Sequence, residues 1–422
     1  MYLYKPRSTT PPKSFSLYGL VVRAVCALCL LTTFWPVLRI LGLTLFDALA
    51  PLAVICGLIY LPKERGPSLG ALSLALAGIG LLAFAGVISY PSSNDPMQHL
   101  QKIAYLIIAL GGIIGVSYVL VNRKIFTTNE ALFLLCASAT CSSLVAILQG
   151  RLHMFMGIIP YITRMESSTR MTGLCEHPIE TGITAAFGAV IGFGLAMHTR
   201  KWLVYLPLVA LNALSLIYSA SLTAVLAMLM GGFAYCIYTK AYRALVVTSM
   251  IGVVLVGGAL SYTGLGLLTS RLEALVHSKG NYATLQAREL QWSQALELVE
   301  PATLAVGNGY SSADLPQGKE IHNGLVASLF HFGLLGLASQ LFMFAFFGVR
   351  MGFDQPRDIK AILLACIVIF TLSYMTGPAL SRRSLWVPLI VLGAYLSAPR
   401  TVARMVTPIE PGKFSAKISS GV

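Results

Sequence analysis

Charge is what this sequence has least of. Only 11% of its 422 residues are Asp, Glu, Lys or Arg, while 56% are hydrophobic; soluble domains carry roughly a quarter charged residues. With a strongly positive mean hydropathy, that shortage excludes a water-soluble globular fold. Acids are scarcer still, at 16 against 30 Lys and Arg. On the outer loops Glu176, Glu180, Glu289 and Glu320 are scattered, with no Asp-x-Asp and no acidic cluster, so no metal and no cofactor is expected. Segments of alternating polarity are also missing, which excludes a transmembrane barrel. The eight cysteines mostly fall inside apolar stretches. Cys26-x-x-Cys29 has no second ligand pair and is packing; Cys175 is the one on an outer loop and has no disulfide partner in view. No small-residue cleavage site follows the basic start, so 1–16 reads as a cytoplasmic tail before an uncleaved first span.

What is present is a series of apolar blocks of about 18 to 22 residues, each long enough to cross about 30 Å of hydrocarbon as a helix. The expected fold is an all-α polytopic membrane protein with about twelve transmembrane helices, both ends inside, and a long outer loop between spans 9 and 10. Residues 1–16 are the tail and 17–262 hold spans 1 to 9, with a first outer loop at 149–177. Residues 263–321 form the long outer loop, 322–397 hold spans 10 to 12, and 398–422 form a basic cytoplasmic tail. The second span is placed at 37–61, an outer loop at 91–99, and the fourth span at 103–121. The net charge of +14 belongs to this topology, because about 18 of the 30 basic residues fall on cytoplasmic turns, as the positive-inside rule requires. No basic cluster alternates with aromatics, so no nucleic-acid partner is expected.

The outer arginines break that rule. Arg164, Arg170, Arg271, Arg288, Arg382 and Arg383 contribute nothing to orientation, yet together they create a positive outer field suited to a phosphate-bearing ligand. Guanidinium stays charged and grips phosphate oxygens bidentately. Within the long loop, Leu285, Arg288, Trp292, Ala295, Leu296 and Val299 recur at helical spacing. They predict an amphipathic helix lying at the membrane surface, with Arg288 and Trp292 on one face and membrane lipids as its neighbours. Pro301 stops it. Gly307-Asn308-Gly309 predicts a turn with positive φ, and Tyr310 follows as a ring to stack on sugars or to anchor the loop. His322, at the mouth of span 10, is placed to take a proton or hold a hydroxyl. Gly333-x-x-Gly336 predicts close helix packing.

These pieces occur in a recognisable order. Arg170-Met171-Thr172-Gly173 with His177-Pro178 comes first, then Arg288-x-x-x-Trp292, Gly307-Asn308-Gly309, His322-Asn323-Gly324-Leu325 and Phe332-Gly333-Leu334-Leu335-Gly336. Over roughly 170–341 the chain resembles the O-antigen ligase and polymerase superfamily of bacterial polysaccharide assembly. It departs from the family's Ser-Arg-Gly at Ser219-Ala220-Ser221, which removes the arginine from that position. The resemblance implies a glycosyltransferase of the bacterial inner membrane with its site facing the periplasm. Its donor is an undecaprenyl-pyrophosphate-linked glycan and its acceptor, for a ligase, is lipid A–core. Arg170 and Arg288 would steady the departing diphosphate, with Arg382, Arg383, Arg271 and Arg164 as further contacts. His322 would be the base, oriented by Asn323, while Trp292 and Tyr310 would meet sugar. The chain's size and its single dominant loop favour a ligase over a polymerase. A flippase or transporter would place ionisable groups and broken helices at mid-bilayer in repeated halves, whereas only Arg23 and Asp47 stand within these spans and no repeat is visible.

Overall fold

The computed structural model describes residues 17–40, 43–59, 72–155, 170–244, 246, 283–310, 321–353, 355–377 and 382–397. Among the described residues eight helices are long and apolar enough to cross a membrane, and three shorter apolar helices accompany them; the chain is an all-α, multi-pass membrane protein. In order, the helices are α1 (Leu17–Leu31), α2 (Leu45–Ile59), α3 (Ser73–Ser89), α4 (Pro96–Asn122), α5 (Thr128–Leu152), α6 (Pro178–Thr199), α7 (Trp202–Ser219) and α8 (Leu222–Thr239). They continue with α9 (Ala283–Glu297), the single turn α10 (Pro301–Leu304), α11 (Gly324–Met351), α12 (Arg357–Thr376) and α13 (Arg383–Leu396). The expected ninth span, Arg164, Arg271 and Glu320 lie outside the described residues.

Helix starts follow local chemistry. Thr127 and Glu130 form a reciprocal capping box on α5, Asp95 caps α4 ahead of Pro96, and Ser221 caps α8; each such cap contributes about 1 kcal/mol. Two boundaries differ from the sequence reading. The start expected for the second span is instead a small hairpin, β1 (Arg39–Ile40) paired antiparallel with β2 (Leu43–Thr44), because Arg39 and Thr44 are held by ion pair and hydrogen bond outside α2. Helix α4 begins at Pro96, inside the expected loop, since the Asp95 cap and Pro96 together favour initiation there.

Two helices form the centre. The apolar window of α6 is 89% buried, and every residue of α13 is buried. Close approach to α6 is possible because Gly188 faces Asn212 and Ala139, and Gly194 faces Ile362. Asn212 donates to the Thr140 hydroxyl at 2.8 Å and accepts from the Ser143 hydroxyl at 2.8 Å, tying α7 to α5 where no water competes.

Helix α11 is broken. Gly333 adopts φ 62, ψ −156, a conformation that costs other residues about 1–3 kcal/mol. Gly333 thus has a conformational role beside the close packing expected of it, since a Cβ there would meet the Ala305 backbone at 2.4 Å. The break exposes the carbonyls of Phe330 and His331, and the Gly307-Asn308-Gly309 turn fills the gap. Asn308 N–H donates to Phe330 at 2.8 Å and Gly309 N–H to His331 at 3.0 Å. The turn has the expected positive φ, +83 at Gly307 and +81 at Gly309.

Candidate anion-binding site at one end of the bundle

The short segment before α6 is pinned along its length. Arg170 Nε donates to the Ser219 carbonyl at 2.9 Å, and Met171 N–H to Tyr218 at 3.0 Å. The Ser219-Ala220-Ser221 turn thus serves to hold Arg170. Gly173, at φ +57, donates to Gln149 Oε1 at 2.9 Å, and Leu174 N–H reaches the Ser142 hydroxyl at 3.1 Å. Cys175 is a free, buried thiol. Burial, helped by Glu180, pushes its pKa up to about 12, which leaves it inert.

His177 ends this segment and caps α6: its Nδ1 accepts from Ile179 N–H at 3.1 Å. Burial lowers its pKa to about 4, and Arg382, Arg170 and His322 push in the same direction. The nearby acids are engaged elsewhere. Glu176 pairs with Arg39, and Glu180 accepts from the Ser384 hydroxyl at 3.1 Å. Arg382, Arg170 and His322, from three separate segments, thus all act on the His177 ring, and the Ser384–Glu180 hydrogen bond brings the start of α13, where Arg382 stands, against the start of α6.

Arg382 is the half-buried N-cap residue of α13. Its neighbour Arg383 turns inward. It is 5% exposed and pairs at 2.6 Å with Asp47, itself 3% exposed, and it donates to the Thr44 hydroxyl. Its charge is balanced inside the bundle, so the two adjacent arginines have different environments. Asn323 also differs from expectation in what it touches. Its Oδ1 accepts from Leu325 and Val326 N–H at 3.0 and 3.2 Å, so it caps α11.

Helix α9 packs on the first half of α11. Ala295 joins Ile321, Ala327 and Phe330 in a small core, with Trp292 and Val299 against it. Trp292 is therefore a packing residue here, and Arg288 stands half-buried one turn before it. Leu296, expected on that face, is 48% exposed.

Tyr310 is fixed by its surroundings. Its N–H donates to His99 Nδ1 at 2.6 Å, which leaves the proton on Nε2 to donate to the Gly86 carbonyl at 2.8 Å. The Gly309 carbonyl, in the same peptide group, accepts from His331 Nδ1 at 3.0 Å. The Tyr310 ring lies 4.7 Å from that of His331, with the Lys102 ammonium 4.6 Å from its centroid. Of the two roles open to Tyr310 in the sequence, loop anchor is the one these contacts describe.

Sequence reasoning assigned no role to His177, Asp47, His99 or Lys102. The signal for His177 was local, a polar residue before proline at the start of an apolar run. For the others the partners are remote in sequence.

The His177 shift has a measurable consequence. Folded His177 titrates at about 4 rather than at 6.5, so between those values the unfolded chain binds more protons. Stability then rises with pH and is lost as pH falls from 6.5 towards 4. Melting temperature in detergent is expected to fall on acidification across that window, and less so in His177→Asn, which keeps an N-cap side chain. Equal slopes for the two proteins would count against this assignment.

A scan against protein-family models and a search of curated proteins return no match to this chain.

Proposed function

We propose that this protein is a glycosyltransferase of the O-antigen ligase type. It moves a glycan from undecaprenyl pyrophosphate to a sugar hydroxyl of lipid A–core at the periplasmic face of the bacterial inner membrane. The observation that carries this reading is that the start of α13, with Arg382, meets the start of α6, with His177, through the Ser384–Glu180 hydrogen bond, where Arg170 and His322 also act on the His177 ring. A departing diphosphate needs fixed positive groups, and Arg170 and Arg382 supply them.

In the proposed reaction the acceptor oxygen attacks the anomeric carbon as the bond from that carbon to the diphosphate oxygen breaks, inverting the configuration. The hydroxyl proton passes to His322, and the diphosphate leaves on the lipid. Arg170, braced by the Ser219 carbonyl, and Arg382, fixed at the start of the buried helix α13, hold the phosphate oxygens. Arg288 reaches the ligand from α9. The leaving group supplies the driving force, so neither ATP nor a nucleotide sugar is required.

The test is transfer in liposomes with purified protein, undecaprenyl-pyrophosphate glycan and lipid A–core. Wild type is expected to form glycosylated lipid A–core, and Arg170→Ala and Arg382→Ala each to lose about 10²–10³ in rate. Elongated lipid-linked glycan as the only product would make the protein a polymerase using the same donor. Passage of the lipid-linked glycan across the bilayer without any transfer would make it a transporter.

A further inference from the structure

The end of the bundle away from Arg382 holds a cavity that glycan transfer does not use. It lies where the first turn of α5, the last turn of α6, the start of α12 and the end of α13 meet, and its volume is about 210 Å³. That is many times the ~10–15 Å³ that one water needs. It is below the roughly 300–1,000 Å³ of sites for drug-sized ligands, so it suits an occupant the size of a lipid headgroup. The buried part of its wall is apolar, made by Ile359, Tyr395 and Leu396.

Three polar groups of the wall have no hydrogen-bond partner among the described residues: the Thr128 hydroxyl, the Asn129 carboxamide and His198 Nε2. The other polar groups are engaged. Thr127 belongs to the α5 capping box, the Gln355 amide donates to the Leu396 carbonyl at 3.3 Å, and the Tyr395 hydroxyl donates to the Phe126 carbonyl at 3.1 Å. His198 Nδ1 lies 3.2 Å from a carboxylate oxygen of Asp358. The ring proton therefore sits on Nδ1, and in the neutral ring Nε2 keeps a lone pair. The wall thus offers two groups that both give and take hydrogen bonds and one that takes them. A bare phosphate would find too few donors there, whereas vicinal hydroxyls, each both donor and acceptor, match the set.

Positive charge stands beside this wall. Arg200, exposed, ends α6 two residues past His198, and Lys360 follows Ile359. Basic turns assign this end of the bundle to the inner membrane surface, where anionic lipids attract them. We propose that the cavity holds the glycerol headgroup of a phosphoglycerol lipid. The diol meets Thr128, Asn129 and His198, and the phosphate stays at the rim near Arg200 and Lys360. The site is independent of the transfer reaction.

The experiment measures dissociation constants of the full-length protein in detergent by native mass spectrometry. Its arms are phosphatidylglycerol, phosphatidic acid with the same acyl chains, and free glycerol 3-phosphate. Phosphatidic acid carries the phosphate without the diol. Wild type is expected to bind phosphatidylglycerol at least about tenfold tighter than phosphatidic acid. Thr128→Val and Asn129→Leu should each weaken phosphatidylglycerol about fivefold, the weight of one neutral hydrogen bond, and leave phosphatidic acid unchanged. Arg200→Gln should weaken both lipids alike, and melting temperatures check that each variant folds. Competition by glycerol 3-phosphate supports the proposal and shows that the headgroup suffices; a phosphatidylglycerol preference without such competition supports it with the acyl chains required. Equal binding of the two lipids by wild type, within about twofold, means attraction to surface charge only and overturns the proposal. So does an unchanged phosphatidylglycerol affinity in both cavity variants.

Discussion

Asp47→Ala is expected to destabilise the protein by about 3–5 kcal/mol, the usual cost of removing one partner from a buried ion pair. The pair it breaks is deeply enclosed, with Asp47 and Arg383 side chains 3% and 5% exposed. Arg383 Nε and Nη2 have no hydrogen-bond partner among the described residues. Asp47 and the Thr44 hydroxyl thus supply the hydrogen bonds described for the guanidinium. Without Asp47 a full charge stays where water cannot reach it. The measurement is the temperature at which half the protein remains monodisperse in detergent, read beside Glu130→Gln. Glu130 pairs with Arg23, but those side chains are 44% and 35% exposed, so that change should cost at most about 1 kcal/mol. The double change Asp47→Leu with Arg383→Met is expected to recover most of the loss, since apolar residues of similar volume often replace a buried pair without penalty. If Asp47→Ala proves as mild as Glu130→Gln, the pair does not hold the start of α13. The position of Arg382 would then need another explanation.

The second large effect concerns chemistry. If the protein performs the glycan transfer proposed above with His322 as base, His322→Gln is expected to lower its turnover by about 10²–10⁴, the range for loss of a positioned base, with little change in donor KM. Glutamine can hydrogen-bond the acceptor hydroxyl but cannot take its proton, so it separates proton transfer from positioning. His322 immediately precedes Asn323, whose side chain is bound to the first turn of α11, and this fixes the backbone from which the imidazole projects. Arg170→Ala should instead raise donor KM as well as lower turnover, because it removes a contact made to the diphosphate in the ground state that strengthens as charge develops on the leaving group. Wild-type turnover in His322→Gln would eliminate it as the base.

Turn chemistry was legible in the sequence: Gly307 and Gly309 hold the positive φ that their spacing implied. The Asp95 cap was not read, and it starts α4 inside the expected loop. Position in space was legible only where one helix face decided it, as with Trp292 and Ala295 on α9. Arg382 and Arg383 look equivalent as letters. About 100° of helical rotation separates neighbouring residues, and Asp47, far away in sequence, determines which of them turns inward. The hairpin at 39–44 reads as span because its composition matches one. The break at Gly333 reads as packing because a glycine in an apolar helix serves either purpose, and what selects the break is a pair of N–H donors from another segment.

The peptide group between Gly309 and Tyr310, gripped at both ends by histidines, bears on the order in which the protein assembles. His99 lies 211 residues from Tyr310, whereas His331 lies 22 from Gly309. Contacts across such separations form late, because the chain between them loses freedom before the contact repays it. The near half of the clasp forms with α11 itself; the far half waits for α4, made much earlier, to meet it. The clasp on the Gly309–Tyr310 peptide is therefore complete only when α4 and α11 have docked, and the Arg383–Thr44 contact, across 339 residues, is later still. A membrane protein built this way does not finish its packing until its early and late helices have both been inserted.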